Sequence, residues 1–350
     1  MEKMTDSTNE EVAAVSEDAV SAKKKNVKID PVTGQVVRGF WQEELHRLKK
    51  HRSIIWFVLP ALSLVILFGY VPMVGMLIAF RSKFNVYMGG GIAGAWASGT
   101  WSLENFALIA TDPRIGLALK NTLLINFFGL LITFPLPIIC ALLLADIKSA
   151  AMSKFVLIVL CLPNFLSWTM TVGIWANVMS PTDGMLNNFL CDIGILKEPF
   201  DFFGSNPWFK PLVIFLKVWK GTGWSSIIFY AAIASIDKSF FEAATLDGAS
   251  KFQKILWITL PTIVPVIGLQ LIMTVTYIMS VGLEQLMAMY TAETKHEQFT
   301  VDTYLYEISI QDKTNAPLAT VLGIVNGLIA LFLMLGGNAI SKKLLRTSLW

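Results

Sequence analysis

The chain has 350 residues, 54% of them hydrophobic and only 15% charged, whereas a soluble domain carries about a quarter charged residues. Its formal net charge of +3 is too small to point to nucleic acid. Cys140, Cys161 and Cys191 show no metal-ligand spacing and predict no structural disulfide, so an ordinary soluble globule and a disulfide scaffold are both excluded.

Residues 1–50 are polar and basic, with Lys23, Lys24 and Lys25 in a row. Lacking an apolar core, this stretch predicts a disordered cytoplasmic tail and not a signal peptide. Five blocks then contain no Asp, Glu, Lys or Arg: 53–80, 121–145, 155–182, 255–283 and 314–341. A sixth, 212–236, is interrupted only by Lys217 and Lys220. Each block suits a hydrocarbon core that needs about 20 apolar residues. None alternates as a barrel strand does. The expectation is an all-α membrane protein with six transmembrane helices near 53–80, 121–145, 155–180, 212–236, 258–283 and 317–341. Prolines 60, 72, 135, 137, 163 and 265 lie inside the blocks and predict kinks.

With the N-terminus inside, thirteen Lys and Arg fall on the cytoplasmic side and eight opposite, which favours both termini in the cytoplasm. Lys217 and Lys220 then lie in the outer half of the fourth helix, either snorkelling to the interface or touching substrate. Trp96, Trp101, Phe106, Phe202 and Trp208 fall in the outer connections and suit either an interfacial belt or a vestibule or docking surface for a partner.

The inner loop over residues 237–257 reads as a short amphipathic helix, a glycine break and a second helical start. Asp237 or Ser239 caps its first turn, and Glu242 lies near that positive end. Ala243 and Ala244 are small enough for another surface to approach the backbone. Phe240, Phe241 and Leu246 are apolar knobs for a groove. Gly248, after Asp247, permits the sharp turn.

Glu242-Ala243-Ala244, Gly248 four residues on, and Ile258-Thr259-Leu260-Pro261 resemble the EAA signature of ABC importer permeases. Patches at 69–75, 121–123, 162–168, 218–221, 282–285, 302–304 and 348–350 resemble the carbohydrate (maltose-type) branch, most closely its LplB-like oligosaccharide and polysaccharide permeases. The resemblance covers about residues 41–350; the long polar tail departs from it. It implies a MetI-like permease core in helices two to six, within 115–341, and a multi-pass protein of the bacterial cytoplasmic membrane. In that family the 237–257 loop is the coupling helix that docks on an ATPase. The implied partners are a second, different permease, two ATPase subunits, an extracytoplasmic sugar-binding lipoprotein and the lipid bilayer.

The sequence contains no phosphate-binding loop of the Gly-x-x-x-x-Gly-Lys-Ser/Thr type, so ATP and Mg are expected in the partner subunits and no cofactor in this chain. His46, His51 and His296 are far apart in the topology and predict no metal site. No catalytic set lies within a block, so no enzyme activity is expected.

A sugar path needs amides, hydroxyls and aromatic rings. Asn164, Trp168, Thr171 and Trp175 fall at helical spacing on the third helix. Gln270, Thr274, Tyr277 and Glu284 do so on the fifth, with Gln285 beside Glu284 at its outer mouth. These groups either line the path or bond across helices and hold the bundle. The small-residue pair Gly323 and Gly327, around Asn326, predicts close packing of the sixth helix. An importer of another solute, such as a peptide or polyol phosphate, is the alternative; a secondary carrier acting alone would show an inverted repeat.

Overall fold

The structure is a computed structural model that describes residues 52–82, 84, 91–311 and 315–344. The basic tail over 1–50 and the terminal patch at 348–350 lie outside the described residues. Contacts divide the chain into a unit ending at Gly75 and one beginning at Met76. In the first, α1 (Arg52–Val65) carries Pro60 and passes through a π turn, Ile66–Tyr70, into a 3₁₀ stretch, Val71–Phe80. Val58–Phe80 is long and apolar enough to cross a bilayer, and most of its large side chains are exposed, as a hydrocarbon solvent favours.

The second unit takes in the end of that 3₁₀ stretch and then a small hairpin, β1 (Arg81–Ser82) antiparallel to β2 (Thr100–Trp101), enclosing α2 (Gly91–Ser98). The buried Arg81 guanidinium lies 5.2 and 5.1 Å from the ring centroids of Trp96 and Trp101. After α3 (Glu104–Thr111), the Asp112 carboxylate accepts the Arg114 N–H at 2.9 Å and caps α4 (Pro113–Thr133). Pro113 sits in the first turn of α4, where its missing N–H leaves no bond unmade. With α5 (Pro135–Asp146), these residues make one 34-residue span.

The next block departs from the helix expected over 155–180. It is two helices, α6 (Ala150–Cys161, with a 3₁₀ turn to Phe165) and α7 (Trp168–Val178), bent by 102°. Leu166 and Ser167 between them are extended, and the Ser167 hydroxyl accepts the Met170 N–H at 3.2 Å. A serine that caps a new helix competes with continuation of the old one. The straight stripe from Asn164 to Trp168 is therefore interrupted.

After α8 (Met185–Asp192), the long α9 (Asn206–Ala234) forms the centre of the unit, packing most extensively on α5 and next on α4 and α6. Phe209, Leu212, Val213, Leu216 and Phe229 are buried along it. At Gly223 the α9 backbone presses on the end of α6: a Cβ there would collide with the Leu160 carbonyl and come within 2.7 Å of the Cys161 nitrogen. No larger residue permits this crossing.

α10 (Lys238–Leu246) and α11 (Lys251–Lys254) follow, then a π turn, Ile255–Thr259, and α12 (Leu260–Thr276). Lys251–Thr276 is one span. It ends seven residues before the expected 283, because Tyr277–Gly282 is non-helical and Glu284 belongs to a separate helix, α13 (Leu283–Ala288). The Asp302 carboxylate holds the non-helical connection by accepting the N–H groups of Val281 (2.6 Å) and Gly282 (3.0 Å), and Gly282 takes φ +105°. The stripe from Gln270 to Glu284 is broken for the same reason. Two short helices, α14 (Lys295–Gln298) and α15 (Val301–Tyr306), precede the last span in α16 (Ala316–Leu344), which packs on α12. Among the described residues, five helices are long and apolar enough to cross a bilayer, or six with the bent pair taken as one span. Gly323 and Gly327 face open space within the chain, so they mark no close packing there.

Candidate functional site

Two regions carry the functional side chains: an elbow at one end of the bundle and a polar seam at the break between α6 and α7. In the elbow, Asp237 accepts the Ser239 N–H at 2.9 Å and caps α10. That hydrogen bond holds the Asp237 carboxyl below its ordinary pKa. The helix ends in a Schellman motif: Ala249 N–H bonds the Ala244 carbonyl (2.9 Å), Gly248 N–H bonds Thr245 (3.1 Å), and Gly248 has φ +74°. Ser250 and Gln253 then form a capping box that starts α11 at once. No residue of α10 is fully buried. Glu242, Ala243, Asp247 and Gly248 are exposed, and so are the large side chains Phe240 and Leu246, the latter 90% exposed. Ala244 is half-buried.

What holds this exposed helix is its other side. Phe241 packs on the cluster of Ala141, Phe229, Ile233, Ile236 and Ile263, which joins α5, α9 and α12. Lys254 Nζ donates to Thr245 Oγ1 at 2.7 Å, and Lys251 pairs with Asp146 at 2.9 Å. The exposed ion pair adds little energy but fixes direction. α10 is thus anchored to the ends of three spans.

In the seam, Lys220 of α9 points its ammonium at the break. It donates to the carbonyls of Asn164 (2.9 Å), Pro163 (3.5 Å) and Leu166, and lies 5.4 Å from the Trp168 ring centroid. A cation among the freed carbonyls at a helix C-terminus replaces the lost helical donors. On the other side of the break, Glu284 Oε1 accepts the Trp168 N–H at 3.4 Å, at the positive end of α7. Lys217 donates to Asn126 Oδ1 (3.1 Å), while Asn126 Nδ2 donates to the carbonyls of Ile278 (2.8 Å) and Ser280 (3.1 Å). Both lysines therefore turn into the bundle, where partners offset the cost of burying charge, and neither snorkels.

The structure brings Asn164, Trp168 and Glu284 together around Lys220. Thr274 and the exposed Tyr277 line a cavity of about 160 Å³ with Asn126 and Lys217, and the Thr274 hydroxyl bonds the Gln270 carbonyl (2.8 Å). Three other candidates turn inward. Thr171 is fully buried, Trp175 packs edge-on against Phe215 and Trp219, and the buried Gln285 donates to the Val213 carbonyl at 2.9 Å. Sequence reasoning missed Asn126 and the anchoring role of Asp302. An amide inside a charge-free block was the available signal for the first. The second depends on a contact 20 residues distant. Among the described residues no group of His, Cys, Asp and Glu is arranged to hold a metal ion.

The family described as "Binding-protein-dependent transport system inner membrane component" matches residues 133–346, a stretch containing the elbow and all of the seam but Asn126. The chain belongs to this family. The permease is 31% identical over 296 residues to Protein LplB of Bacillus subtilis (strain 168), covering 85% of this chain and 90% of that protein. It is 32% identical over 300 residues to the polygalacturonan/rhamnogalacturonan transport system permease protein YteP of the same strain, again covering 85% and 90%. Among solved structures it matches a bacterial alginate ABC transporter in complex with an alginate pentasaccharide-bound periplasmic protein. That match has a TM-score of 0.76 at 31% identity and covers 87% of this chain and 99% of that one. The permease is accordingly a multi-pass inner-membrane component of an ABC importer.

Proposed function

We propose that the permease forms half of the pore of an ATP-driven, binding-protein-dependent oligosaccharide importer. Its elbow couples that pore to separate ATPase subunits. The observation that carries the coupling role is α10 itself, a capped helix with an exposed face, Phe240, Glu242, Ala243 and Leu246, whose opposite side is keyed to α5, α9 and α12. A helix left open on one side and rigidly connected on the other suits a lever that enters a partner's groove. The elbow's end of the bundle is then cytoplasmic.

The chain does no chemistry in this scheme and binds no cofactor; ATP and Mg act in the ATPase subunits. Closure of those subunits moves α10, and with it the ends of α9 and α12. Both helices reach the seam, so the broken span and α13 shift together and access alternates between the two sides. The second pore half is a different permease, and a periplasmic binding protein delivers the cargo. An oligosaccharide cargo is supported by the names of the relatives and of the solved complex, and by seam groups suited to hydroxyls and sugar faces: Trp168, Tyr277, Thr274 and Glu284. The experiment is Glu242→Lys, expected to abolish uptake or release the ATPase while membrane insertion persists. Uptake at the wild-type rate by that variant would overturn the coupling role.

A further inference from the structure

A cavity of about 350 Å³ that shares no lining residue with the seam cavity lies in the connection between the last two spans. Three rings, Tyr290, Phe299 and Tyr306, share its lining with Lys295, Gln298 and Glu307. Tyr290 is 53% exposed, whereas Gln298 is 2% exposed. The Gln298 amide nitrogen donates to the Met289 carbonyl (3.1 Å) and to Thr294 Oγ1 (2.6 Å), which fixes the amide's orientation. Its Oε1 is buried and has no hydrogen-bond partner among the described residues. A buried amide oxygen without a donor carries a free-energy penalty.

The volume is at the lower end of small-molecule pockets, which run from about 300 to 1,000 Å³. Flat rings beside one amide, one carboxylate and one ammonium match a sugar ring, which offers C–H faces and a girdle of hydroxyls. Lys295 and Glu307 balance in charge, which disfavours a phosphate and admits a neutral sugar or a single uronate. We infer that this cavity is a saccharide subsite, distinct from the seam, that holds one terminal ring of the oligosaccharide before it passes into the bundle. The inference rests on the oligosaccharide reading above.

The test uses the complete importer in nanodiscs, without its binding protein. Saturation-transfer NMR titrations with a neutral hexose trisaccharide and a uronate trisaccharide measure binding, and uptake assays with the binding protein measure transport. Tyr290→Ala and Tyr306→Ala are each expected to weaken saccharide binding by about three- to tenfold. They should raise KM for uptake with little change in kcat. Tyr290→Phe keeps the ring and should keep the affinity, which separates ring loss from misfolding. Glu284→Gln should impair transport but leave this binding intact. Wild-type affinity and KM in both alanine variants, in an importer that transports saccharides, would overturn the subsite alone. Failure of every saccharide to drive uptake would remove the cargo assignment and the subsite together.

Discussion

The Lys220 ammonium lies 2.9 Å from the carbonyl oxygen of Asn164, where α6 gives way to α7. One α9 side chain thereby replaces the helical donors that the break removed. Lys220→Met should leave carbonyls unsatisfied inside the span and destabilise the permease by about 1–3 kcal/mol. Lys220→Arg, still rich in donors, should recover part of the loss. Thermal unfolding of the solubilised importer measures both; equal melting temperatures for Met and wild type would contradict the role.

Gly223 is constrained by space alone, since the α6 backbone occupies the place of a Cβ. Gly223→Ala should force α9 away from Leu160, at a cost of about 1–3 kcal/mol or more. The expected result is a lower yield of folded permease and a lower melting temperature. A fully stable alanine variant would show that the two helices can separate freely.

Gly248 presents the opposite situation, with open space around it and φ +74°. Gly248→Ala should therefore cost only conformational strain, about 1–2 kcal/mol, localised in the elbow. Gly248→Asn should cost less, because asparagine visits this region more readily. ATPase activity stimulated by the loaded binding protein is the readout. The predicted order is Gly, then Asn, then Ala, and any other order counts against the Schellman turn as the source.

The buried Tyr304 donates its hydroxyl to Asp112 at 2.8 Å, tying α15 to the cap of α4. Burial, then the hydrogen bond to Asp112, pushes the Tyr304 pKa up to about 12. For Asp112, burial acts upward, but bonds from Arg114 and Tyr304 outweigh it and hold the carboxyl below its ordinary value. A depressed carboxyl contributes stability that is present above its unfolded pKa of about 4 and lost as pH falls through the folded value. Tyr304→Phe should cost about 1–2 kcal/mol at neutral pH. Melting curves from pH 7 down to 3 should show the mutant and wild type converging at the acid end.

Much of the fold was legible because spans need long apolar runs, and charge-free blocks are visible without coordinates. The elbow was legible for a related reason: its caps and its glycine act within a few residues, so Asp237, Ala244 and Gly248 stand near their own partners in sequence. Asn126 and Asp302 were not. Their partners, Ile278 and Gly282, come from distant turns, and no local pattern reports such pairs.

The sequence by itself determined a membrane-spanning helical chain with a capped, glycine-ended helix between two of its spans, because hydropathy and local capping are properties of short segments. Only the tertiary structure decided that the third block breaks by 102° and that Lys217 and Lys220 turn inward. It also decided that Thr171, Trp175 and Gln285 pack inward while Trp168 and Glu284 meet. The physical reason is the same in each case. A polar group in a span goes wherever a partner can satisfy it, and which partners are within reach depends on how distant helices cross.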